Sequence, residues 1–103
     1  MNHRILTVVS ATVDPSQEAE LLAGFQTLLA DQMPDGLIRT ELLRDATGTW
    51  RIQTLWRDRA TLDKMRVASE PAAPRLFRSV GAEPTLQIFE VIVEHIAPRG
   101  RSA

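Results

Sequence analysis

The sequence predicts an α+β fold, four strands and two main helices in the order β-α-β-β-α-β, and three observations predict it. A hairpin signal runs through Gly36–Asp58, where two strand-like segments flank Asp45-Ala46-Thr47-Gly48. Stretches of helical period stand on either side of that hairpin. Outside these lie two more β-rich runs, Ile5–Val13 and Thr85–Ile96. Two strand–helix–strand units with right-handed crossovers give one antiparallel sheet of order 4-1-3-2, with both helices on one face. That is the ferredoxin-like sandwich.

Ile5–Val13 is rich in β-branched residues and apolar on both faces, which marks a strand covered on both sides. Asp14-Pro15-Ser16-Gln17 then reads as a helix start, with Asp14 as cap, Pro15 in the first turn and Gln17 placed as in a capping box. The helix is predicted from about Pro15 to Gln32, with Leu21, Leu22, Phe25, Leu28, Leu29 and Met33 as its inward stripe. Pro34-Asp35-Gly36 breaks it.

The hairpin strands are Leu37–Arg44 and Thr49–Trp56. Asp first and Gly fourth suit a turn closed by a residue of positive φ. Ile38, Thr40 and Leu42 are expected to share a face with Trp50, Ile52, Thr54 and Trp56. The opposite face carries Arg39, Glu41, Leu43, Arg51, Gln53 and Leu55 and is half polar. Asp58 is a cap for a second helix over about Arg59–Ser69, with Leu62 and Met65 inward. A short helical piece follows at Pro74–Val80, then the last strand. Residues 1–96 are expected to form one domain and residues 97–103 a flexible tail.

The chain of 103 residues carries a formal charge of −1, with no pull towards nucleic acid or an anionic membrane. Eleven of its twelve basic residues are Arg, scattered singly, and Arg-Gly-Arg at Arg99–Arg101 is too short to bind nucleic acid. With no cysteine, disulfides, thiolate metal sites and cysteine nucleophiles are excluded. No signal peptide or bilayer-spanning run is read, so the expected location is the cytoplasm.

No self-sufficient catalytic motif is present. His3 and His95 lie far apart and support no metal pair, and Ser10 and Ser79 lack a general base at readable spacing. Glu90 and Glu94 share a face of the last strand, as a carboxylate pair or, more simply, as a solvated face. Trp56 stands out as either plain core or a flat apolar wall for an aromatic ligand. Phe25, Met65, Leu76 and Phe77 are candidates to line the same space. The half-apolar outer sheet face calls for a second layer, and a homodimer through sheet packing is the simplest one.

Val13–Leu22, Asp35–Asp45 and above all Trp56–Lys64, with Asp-Arg-Ala-Thr-Leu-Asp behind the tryptophan, resemble the antibiotic biosynthesis monooxygenase domain family. The resemblance covers about residues 4–95 and implies a dimeric α/β barrel with one pocket per subunit. It implies a cofactor-independent monooxygenase-like enzyme acting on a small aromatic phenol or quinol, with Trp56 as the pocket tryptophan. Related oxygenases also place one Asn four residues before that tryptophan and another on the first strand. This chain has Ile52 and Val9 there, with Thr54 two before the tryptophan and Thr40 as a second weak polar contact. The resulting site is Trp56 as catalytic wall and Val9, Phe25, Ile52, Thr54, Met65 and Phe77 around the substrate, with no metal and no cofactor. The alternative is a non-catalytic dimeric barrel that binds an apolar small molecule or a partner enzyme.

Overall fold

The computed structural model describes residues 3–31, 33–68 and 71–98. Strand β1 (Ile5–Thr12) leads through a single 3-10 turn, Pro15–Gln17, into α1 (Glu18–Ala30). The hairpin β2 (Leu37–Arg44) and β3 (Thr49–Trp56) follows, then α2 (Arg59–Ala68), α3 (Ala72–Ser79) and β4 (Thr85–Glu90). The sheet order is β2-β3-β1-β4 and every pairing is antiparallel. This is the predicted ferredoxin-like α+β fold.

The local chemistry explains most boundaries. Asp14 accepts from the Ser16 amide at 2.9 Å and opens the 3-10 turn; Gln17 makes no capping bond. Helix α1 ends at Ala30 rather than Gln32, which lies outside the described residues. The chain leaves helical space at Asp31, whose ψ is 166°, and Pro34 bars the helical region at Met33 just beyond. Only Leu21 and Phe25 of α1 are buried, while Leu22 and Leu29 are half exposed, one helical step off the inward line. In the hairpin turn the Gly48 amide donates to the Asp45 carbonyl at 3.3 Å with φ of 88° at Gly48. The Asp45 carboxylate adds three bonds, from the Thr47 amide and hydroxyl and the Thr49 amide. Asp58 caps α2 as expected, accepting from the Thr61 amide at 2.8 Å. The expected end of α2 at Ser69 lies outside the described residues.

Two expectations about the sheet are corrected. A bulge between Leu37 and Arg39 makes Leu37, not Ile38, the residue opposite Trp56; Ile38 is the extra residue and is half exposed. The last strand ends at Glu90 rather than Ile96. Its partner β1 begins at Ile5, so after the bond from the Val91 amide to the Arg4 carbonyl the chain has no ladder to join. Glu94 therefore pairs with Arg4 at 3.0 Å instead of sitting beside Glu90 on a strand. Most of the predicted tail, from residue 99 on, lies outside the described residues.

On the helix-covered face the side chains form rows across three strands: Ile5–Trp56–Leu37, Thr7–Thr54–Thr40, Val9–Ile52–Leu42 and Ala11–Trp50–Arg44. The core is split along these rows. Val9, Ala11, Val13, Leu21, Phe25, Trp50, Ile52, Phe77, Val80 and Ala82 close one end, and Ile5, Trp56 and Leu62 the other. The threonine row lies between the two clusters, where β-branched residues hold the sheet but hydroxyls interrupt the hydrocarbon.

Candidate functional site

Above the threonine row, between sheet and helices, lies a cavity of about 250 Å³. An apolar cavity of about 150 Å³ takes benzene, so this one has room for one or two fused rings. Its floor comes from β1 and β3 through Thr7, Val9, Ile52, Thr54 and Trp56, with Leu37 and Thr40 of β2 and Ile88 of β4 beside them. Phe25, Leu28, Leu62 and Met65 cover it from the helices. The antiparallel register sets the floor, because alternate residues of each strand face the same way.

Polar groups in the cavity are few and orderly. The Trp56 indole Nε1–H donates to Thr7 Oγ1 at 3.1 Å, which fixes the ring plane. Thr7 Oγ1 in turn donates to the Thr54 carbonyl at 3.4 Å. Thr54 Oγ1 and Thr40 Oγ1 are 2.9 Å apart, and either one donates to the other. One hydroxyl proton suffices for that bond, so the pair keeps a second O–H for a ligand oxygen. Among the described residues Asp31, Arg66 and Arg75 are the ionisable ones on the lining, and all three are exposed. No group of three or more His, Cys, Asp or Glu that could hold a metal occurs among the described residues.

Six of the seven sequence-derived site residues, Val9, Phe25, Ile52, Thr54, Trp56 and Met65, lie on this one cavity. Phe77 does not. It is wholly buried in the larger core cluster, where α3 packs onto α1 and β1, and no face of it reaches the cavity. Leu76 also stays outside. Sequence reasoning passed over Thr7, whose role is visible only from its register opposite Thr54. The mouth residues Asp31, Arg66 and Arg75 also went unread, because nothing in their spacing brings α1, α2 and α3 together.

No family model matches the chain, and no curated protein matches it by sequence. Solved structures do match in fold. A protein from Caulobacter crescentus CB15, provisionally classed as an antibiotic biosynthesis monooxygenase, superposes with a TM-score of 0.70 at 18% identity, over 89% of this chain and 92% of that one. The cofactor-independent oxygenase SnoaB from Streptomyces nogalater gives 0.64 at 19% identity, over 89% and 96%. A haem-degrading protein from Mycobacterium tuberculosis gives 0.71 at 18% identity, over 94% and 100%. The subunit fold, a ferredoxin-like α+β sandwich, is thus the one that the sequence resemblance implied, shared along most of the chain with solved proteins of the antibiotic biosynthesis monooxygenase kind.

Proposed function

We propose that the protein is a cofactor-independent, monooxygenase-like enzyme that oxidises a small aromatic phenol or quinol in the cavity over Trp56. The observation that carries this reading is the Trp56–Thr7–Thr54–Thr40 row beneath an otherwise apolar cavity. The indole offers a flat wall for a ring, and the spare hydroxyl proton of the Thr40–Thr54 pair meets the phenolic oxygen. A phenol with a free para carbon loses its O–H proton and takes dioxygen at that carbon as a hydroperoxide. Loss of water then leaves the quinone. One oxygen atom stays on carbon, the other leaves as water, and the phenol supplies all four electrons. Among the described residues Asp31 is the one carboxylate on the lining, so in this reading it is the group placed to accept the proton.

The active form in this proposal is a homodimer. Leu43 and Phe89 stand half exposed on the sheet face away from the helices, and Ile92, Val93 and Ile96 are largely exposed beyond β4. Apolar surface of that kind favours a second copy as cover.

A binding-only role is the second reading, favoured by Val9 and Ile52. Both are buried on the cavity floor, and both are hydrocarbon where a hydrogen-bonding amide would hold an oxyanion. An oxygen electrode separates the two. The enzyme reading expects uptake of dioxygen with 1-naphthol, whose para carbon is free, with quinone formed in equal amount, and loss of both in Trp56→Ala. Saturable binding of the same compound without any uptake would leave the binding-only reading standing.

A further inference from the structure

We infer that the natural ligand is an aromatic acid, its ring over Trp56 and its carboxylate at the cavity mouth between Arg66 and Arg75. The inference rests on the reading that the cavity takes an aromatic ligand, and it specifies the class of that ligand. Arg66 stands in the last turn of α2 and Arg75 in α3, so each of these two helices contributes one arginine to the exposed part of the cavity lining.

These two arginines differ from the rest. Arg4 pairs with Glu94, Arg39 with Glu41, Arg44 with Glu18, Arg57 with Asp35 and Asp58, and Arg59 with Asp63. Arg51 donates to Ser10, and Arg78 is also engaged. Among the described residues Arg66 and Arg75 alone of the arginines have no partner, and they alone of the arginines line the cavity. An unpaired surface arginine is ordinary by itself. Two that are both unpaired and both on the rim of one apolar cavity match an amphipathic ligand with a single anionic end.

Away from the threonine row the interior is hydrocarbon and sulfur, from Val9, Phe25, Ile52, Leu62 and Met65, and the row itself offers hydroxyls but no cation to pair with a carboxylate. A carboxylate at the exposed mouth keeps part of its hydration and gains the planar, two-pronged donors of arginine. Among the described residues Asp31 is the one opposing charge on the lining, and it should weaken the same binding.

Calorimetric titration at low salt with naphthoate and with the naphthyl alcohol of the same skeleton tests this directly. Naphthoate should bind about tenfold tighter than the alcohol. Arg66→Gln and Arg75→Gln should each cost naphthoate about threefold to fivefold, the upper range for exposed pairs, with the alcohol unmoved. Asp31→Asn should strengthen naphthoate, and added salt should weaken naphthoate alone. Equal binding of the two probes, or indifference of naphthoate to both arginine variants, overturns the inference and leaves the pocket standing. If neither probe binds, the pocket reading falls and this inference falls with it.

Discussion

The bond from Trp56 Nε1 to Thr7 Oγ1 ties the indole wall of the cavity to the strand beside it. Trp56→Phe keeps a ring but removes that donor and part of the wall. The expected cost is about 1–2 kcal/mol in stability, read by denaturant unfolding, together with loss of most aromatic affinity. Replacing both Thr40 and Thr54 by Val is the sharper test, because the replacements have nearly the same shape. It deletes both hydroxyls, so neither can donate to a ligand oxygen, and ligand affinity should drop about fivefold to tenfold while stability moves by about 1 kcal/mol. A double variant with unchanged affinity for naphthol would remove the threonine row from the account. Trp56, Phe25 and Met65 were legible as candidates from the inward pattern of their elements, whereas Val9, Ile52 and Thr54 entered through the family resemblance; all six line the cavity. Phe77 was misread for the same reason, since pattern tells inward from outward but not cavity from closed core.

At the scale of the element, two glycines of positive φ bracket the hairpin and should respond differently to substitution. Gly48 has φ of 88° with open space where a Cβ would stand, so Gly48→Ala should cost about 1 kcal/mol, the backbone term alone. Gly36 has φ of 89°, and a Cβ there would collide with the Thr61 side chain, which Asp58 holds in place. Gly36→Ala should therefore cost more than Gly48→Ala, by thermal or denaturant unfolding; equal costs would deny the packing of Gly36 under α2. Asp58 also makes a pH prediction. Its carboxyl is held below the ordinary value of 3.8, first by the Thr61 amide and then by the Thr61 hydroxyl. A depressed folded pKa means that the stabilisation is complete above the unfolded value and disappears as pH falls through the folded one. Wild type should thus lose stability relative to Asp58→Asn only below about pH 4. The turn and the cap were legible because single residues specify them. The Ile38 bulge and the end of β4 were not, since each depends on where a partner strand begins.

Across the whole molecule the threonine row divides the core into two apolar clusters and leaves a cavity between them. A continuous core would pack the same space with hydrocarbon, so the polar row trades stability for a site. The strand order was legible from the order of elements, because right-handed crossovers leave few topologies open. The cavity was not, because it arises from four strands in register and three helices packing over them. On size exclusion the proposed dimer should elute at about twice 11.5 kDa, and a stable monomer would contradict it. The two tryptophans supply the most direct measurement. Trp56 lies on the cavity, whereas Trp50 is buried in the larger core cluster and does not line it. In a nitrogen–proton NMR spectrum, titration with naphthol should shift the Trp56 indole peak saturably and leave that of Trp50 in place. An unmoved Trp56 peak at saturating naphthol, or equal shifts of both, would contradict the account.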